Sequence, residues 1–141
     1  MWIKLEPSLL KTHLAEPEIA ALASVAKPVE VERILADECE NVAEAWRGRL
    51  RKFIRIDKRK GFVPTELLVF ILAHVRYSSF TRLPNMETLL DDLRVKEWEK
   101  AMDILDDPRK FDIEEPEEEE AGNGLVPYVF KNPRVIKVES F

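Results

Sequence analysis

The sequence predicts an all-α protein: a compact bundle of about five helices, two short, one long and two medium. An acidic linker and a C-terminal extended arm or β-hairpin follow. Three observations predict this. Apolar residues recur at steps of three and four through most of the first 106 residues, the spacing of one helix face. Pro17, Pro28 and Pro64 stand where helices would start, the position proline tolerates best. After residue 106 the composition changes in kind. The expected organisation is a helical domain over 1–106, a linker over 107–124 and an arm over 125–141.

The elements follow in order. Ser8 can cap a short helix running to about Ala15, with Leu9, Leu10 and Leu14 on one side. A second short helix begins near Pro17, with Ile19, Leu22 and Val25 inward. The long helix runs from Pro28 to about Phe53. Its apolar face is Val31, Ile34, Leu35, Cys39, Val42, Trp46, Leu50 and Phe53. Its acids come early and its bases late, the order the helix dipole prefers. Ile54 to Val63 reads as a charged loop. Pro64-Thr65-Glu66 opens a helix that Leu67, Leu68, Phe70, Ile71, Leu72 and Val75 make apolar nearly all round, so it should be the most buried. Asn85 or Thr88 opens the last helix, with Leu89, Leu90, Leu93, Val95, Trp98, Met102 and Leu105 as its apolar set. Asp106-Asp107-Pro108 stops it.

The tail is of another kind. Phe111 to Asn123 is acidic and reads as a linker. Leu125 to Phe130 and Arg134 to Phe141 are rich in Val, Ile, Tyr and Phe. They form a hairpin or two extended segments, and so little apolar mass must dock on the body or on another chain.

A chain of 141 residues with 45% apolar content can bury a real core. The net charge of −5 argues against a general nucleic-acid binder. It also hides a reversal. Arg47, Arg49, Arg51, Lys52, Arg55, Lys58, Arg59 and Lys60 face a single acid, Asp57, in one block. Asp112 to Glu120 holds seven acids and no base. Ions leave water only at a cost, so both blocks belong to the surface. A helix continued through the first block would put Arg47, Arg51, Arg55 and Lys58 on one face, a row that suits phosphates or acidic protein. A solvated helix end is an equal reading. A third reading pairs the two blocks, within one chain or between copies.

Nothing in the sequence assembles a catalytic set. His13 and His74 are the only histidines, and Cys39 is the only cysteine. The expected roles are a helix-end histidine, a satisfied core histidine and an inert core thiol. Gly48, Gly61, Gly122 and Gly124 make no phosphate-binding loop. No enzyme, metal or cofactor is expected. Met1 to Leu5 carries no basic region before a long apolar run, and Leu67 to Val75 is far short of a membrane span. A soluble intracellular protein without a membrane partner is expected.

The order of helices resembles the Mu-like prophage head–tail connector family. The residues that carry the resemblance are Ile34-Leu35-Ala36-Asp37, Val42 and Trp46-Arg47-Gly48-Arg49-Leu50, then Pro64-Thr65-Glu66-Leu67-Leu68. Leu72 to Tyr77, Glu97 to Met102 and Leu105 complete it, over roughly residues 5 to 106. At Lys52-Phe53-Ile54-Arg55 the chain departs from the family's Arg-Tyr and proline. The resemblance implies a non-enzymatic structural protein of a phage or prophage, found in the host cytoplasm during assembly and in the virion. Its partners would be portal and tail-completion proteins, with contact to DNA in the channel. Copies would form a ring when assembled; a ring or a monomer in isolation both stay open. The basic block would face the portal, a neighbour or DNA. Glu117, Glu118, Glu119 and Glu120, with Tyr128, Phe130, Ile136 and Val138, would reach an adjacent subunit. The alternative is a small helical nucleic-acid-binding or regulatory module using residues 47–60.

Overall fold

A computed structural model describes residues 1–24, 27–84 and 86–116. The expectations for Val25, Asn85, Glu117–Glu120 and the 125–141 arm, including Tyr128, Phe130, Ile136 and Val138, lie outside the described residues. Among these residues the fold is mostly helical, with five α-helices and a small two-stranded sheet.

Strand β1 (Trp2–Lys4) leads into α1 (Pro7–Lys11) and α2 (Glu16–Ala23). Helix α1 stops at Lys11, short of Ala15. There Thr12 Oγ1 and His13 Nδ1 both compete for the Leu9 carbonyl, which draws the chain out of the helix. In α2 the Glu18 carboxylate turns back to accept the Ala15 N–H at 2.8 Å. This leaves Glu18 buried and Ile19 46% exposed, the reverse of the expected inward Ile19.

Helix α3 (Pro28–Leu50) is the longest, and its face of threes and fours is the buried one from Val31 to Leu50. The expected extension to Phe53 is not helical. Phe53 N–H bonds the Leu50 carbonyl in a tighter turn, and the ring is 41% exposed. The charged loop does not run to Val63 either. Its end becomes β2 (Phe62–Pro64), antiparallel to β1 in the register Trp2–Pro64, Ile3–Val63 and Lys4–Phe62. Proline at the end of β2 has no N–H to offer a further strand. Gly61 takes φ +84° in the turn before it, a conformation that favours glycine.

A 3-10 turn (Thr65–Leu67) feeds α4 (Leu68–Arg82). Helix α4 lies at the centre, packed between α3 and α5 (Asp92–Asp106). Ile71, Leu72, Val75 and Phe80 are fully buried there. Asp91 caps α5 by accepting the Arg94 N–H at 3.0 Å. The inward line of α5 is Ala101 and Ile104, while Leu93 is 62% exposed. Leu93 was expected to face in, but in the first turn of α5 it stands in solvent.

Candidate partner-binding surface at the basic pole

The three long helices define two poles. Trp46 meets His74 and Arg82 meets Glu38, so α3 and α4 run antiparallel. Arg49 donates to the carbonyls of Leu105 and Asp106, so α3 and α5 end at the same pole. The expected basic block straddles that pole, and the fold divides it.

Five members are tied within the chain. Arg47 is 5% exposed and donates to the Phe62 carbonyl at 2.8 Å, fixing β2 against α3. Burial pushes its guanidinium pKa down from the ordinary value, with Glu44 opposing. Arg49 satisfies orphan carbonyls at the end of α5, as a cation at a helix C-terminus should. Arg55 donates its own N–H to Glu115 at 2.8 Å and its guanidinium to the Pro116 carbonyl. Arg59 grips buried Asp57 with two side-chain bonds of 2.9 and 2.6 Å and lies over the Phe62 ring. Lys60 pairs with Glu40 at 3.2 Å.

Arg51, Lys52 and Lys58 differ. Their side chains are exposed and make no hydrogen bond or ion pair with the described residues. The single helical face through Arg47, Arg51, Arg55 and Lys58 does not exist, because α3 ends at Leu50. What the pole offers is Arg51 and Lys52 beside exposed Phe53, whose ring lies 5.2 Å from the Arg109 guanidinium.

The first part of the expected acidic linker is seated on the body. Phe111 meets Phe70 edge-on at 5.4 Å. The Glu114 carbonyl accepts from the Trp2 indole at 2.8 Å, and its N–H donates to Glu66. Pro116 is buried. The spacing of Phe111, Ile113 and acids between them carried the only signal, a period of two.

Sequence reading missed a second charged cluster. Glu18 of α2 binds Arg94 of α5 through both carboxylate oxygens, at 3.1 and 3.0 Å. Arg94 and Arg76 share Glu97, and Arg76 donates to the His13 carbonyl. The cluster pins α2, α4 and α5 together. Its signal was Arg76 in the middle of an apolar helix.

Cys39 is buried in the core, and His74 is half-buried in α4. Burial, with help from Glu38 and Glu6, pushes the Cys39 thiol up to about 12, so it is no nucleophile at neutral pH. His74 Nδ1 accepts the Trp46 indole N–H at 3.1 Å, and burial lowers its pKa. Among the described residues no group of three or more His, Cys, Asp or Glu could hold a metal, and no helix is long and apolar enough to cross a membrane. No family model, curated protein or solved structure matches the chain.

Proposed function

We propose that this protein is a structural subunit of a phage or prophage particle that joins the head, at its portal, to the tail. It works by oligomeric protein–protein assembly and not by catalysis. The observation that carries the reading is the basic pole. After five of eight cations are used inside the chain, the side chains of Arg51, Lys52 and Lys58 remain without a described partner, and apolar Phe53 follows the first two directly in the chain. Cations around an exposed aromatic make a protein-docking surface, since Arg and aromatic residues are the groups that anchor interfaces.

The test is deletion of the gene in its host, followed by induction of particle production. DNA-filled heads without tails, or heads that leak DNA, are expected. Complementation with Arg51→Glu plus Lys52→Glu should fail to restore tails. Normal infectious particles from the deletion would sink the proposal. The three cations also suit phosphates, so duplex binding across a salt series separates the nucleic-acid reading. Tight binding that falls steeply with salt and vanishes in the same double variant would favour that module instead.

A further inference from the structure

We infer that the groove holding residues 111–116 has a second occupant in the same chain, the segment 128–133, and that the two exchange. The inference rests on the groove and on the sequence, and not on the connector reading.

The groove is built from separate elements. Phe70 of α4 takes the Phe111 ring edge-on at 5.4 Å. Trp2 of β1 and Glu66 of the 3-10 turn hold one extended residue by its backbone. The Trp2 indole donates to the Glu114 carbonyl at 2.8 Å, and the Glu66 carboxylate accepts the Glu114 N–H at 2.9 Å. Arg55 donates its backbone N–H to the Glu115 carboxylate at 2.8 Å and its guanidinium to the Pro116 carbonyl at 3.2 Å. Phe111 and Ile113 are half-buried and Pro116 is buried, while Asp112 and Glu114 are exposed. The Glu114 side chain is 76% exposed and reaches the terminal amine at 3.1 Å. The groove therefore suits an aromatic residue, an apolar one two places on, an acceptor two places after that, and then proline.

The sequence holds that pattern twice. Phe111-Asp112-Ile113-Glu114-Glu115-Pro116 is matched 17 positions later by Tyr128-Val129-Phe130-Lys131-Asn132-Pro133, which lies outside the described residues. Tyr128 supplies a ring for Phe70, and Phe130 an apolar side chain in place of Ile113. The Asn132 amide oxygen can accept the Arg55 N–H, as the Glu115 carboxylate does. Lys131 gives up the ion pair of Glu114 with the amine and brings donors beside Glu66 instead.

The seated segment is replaceable. Among the described residues no backbone–backbone hydrogen bond holds 112–116, and each tie uses a side chain or the terminal amine. Its fit is also incomplete. Arg55 Nε and Glu66 Oε1 are buried without a hydrogen bond, a cost that Lys131 would relieve at Glu66. Exchange within one chain loops out residues 111–127, and closing a long loop costs little more than closing a short one. With 128–133 seated, Tyr128 and Phe130 are spent inside the chain. The acids from Asp112 to Glu120 are then offered to a partner instead.

The full chain with Lys131→Cys carrying a nitroxide tests this, since buried Cys39 does not compete for the label. The readout is the Trp2 indole signal in nuclear magnetic resonance, assigned with Trp2→Phe. The oxidised label should weaken that signal. Phe111→Asp with Ile113→Asp unseats the first segment, and there the label should erase the signal; reducing the nitroxide restores it. Exchange of the indole hydrogen in that double variant should stay slow, then speed up at least about tenfold once Tyr128→Asp and Phe130→Asp are added. If the double variant loses the wild-type circular dichroism, Ile113→Ala, a milder weakening of the seated segment, takes its place. A Trp2 signal untouched by the label in both chains overturns the exchange. So does a loss that survives Tyr128→Asp with Phe130→Asp, or indole exchange already fast in the first double variant. A loss seen only when the nitroxide sits on a different copy, in a mixed sample, gives the segment to a second chain and overturns exchange within one.

Discussion

Glu18→Gln should be among the most damaging single changes outside the apolar core, although it alters one atom. Glu18 is 3% exposed and accepts three hydrogen bonds: one from Ala15 N–H and two from Arg94. Its charge also faces Arg76, whose nitrogen lies 4.0 Å away and whose side chain is 8% exposed. Glutamine keeps the size and can still accept, but it removes the charge. Two guanidinium groups then share Glu97 alone, and Glu97 is 39% exposed and partly screened. Breaking a buried ion pair on one side costs about 3 kcal/mol, because the remaining charge stays buried without a counterion. With a urea slope of about 2 kcal/mol per molar, the unfolding midpoint should fall by roughly 1.5 M. Arg33→Ala is the control. Arg33 reaches Glu30 and Asp37 from the exposed side of α3, where such pairs contribute under about 0.5 kcal/mol. The measurement is urea unfolding at pH 7, followed by circular dichroism and by tryptophan fluorescence. A Glu18→Gln midpoint within about 0.3 M of wild type would refute the claim that this cluster holds α2 to α4 and α5.

Four further outcomes are expected. Cys39, with its thiol pushed up to about 12, should resist a maleimide at pH 8 in the native protein and react once unfolded in urea; fast native labelling would contradict its burial. Burial pushes the Asp57 pKa up, but the side-chain and backbone hydrogen bonds of Arg59 outweigh it and hold the carboxyl below its ordinary value. Its contribution to stability is therefore complete above about pH 4 and lost as pH falls through the lower folded value. Asp57→Asn should flatten that part of the acid limb in pH-dependent melting, and an unchanged limb would reject the assignment. His74 should titrate below the ordinary histidine value, its neutral ring carrying the proton on Nε2, as nuclear magnetic resonance of the ring can show, because Nδ1 accepts from Trp46 and burial lowers the pKa. Titration at or above about 6.5 would contradict it. Trp46→Phe should cost about 1–3 kcal/mol in denaturant unfolding, since it leaves that nitrogen buried without a donor.

The sequence by itself determined the helices. Val31, Ile34, Leu35, Cys39, Val42, Trp46 and Leu50 mark the buried face of α3, and the structure buries every one of them. Pro17 and Pro28 stand in the first turns of α2 and α3, and Pro64 ends β2 directly before the 3-10 turn that feeds α4, positions that suit their missing N–H and fixed φ. The inert thiol and the satisfied histidine were also legible, since each lies on an apolar helix face without a cluster around it. These signals are local, complete within a turn or two of chain.

Only the tertiary structure decided the fate of the charges. Glu18 is buried because Arg94 arrives beside it from 76 residues away. Arg47, Arg49 and Arg55 are internal ties because the carbonyls of Phe62, Asp106 and Pro116 come within reach, while the side chains of Arg51 and Lys52 meet none among the described residues. The β1–β2 pair was equally hidden, since three-residue strands carry no periodicity and Trp2 lies 62 residues from Pro64. A side chain's apolar burial can be read from its spacing along one element. Whether a charge ends in water or on a partner depends on what the fold brings to it from elsewhere in the chain.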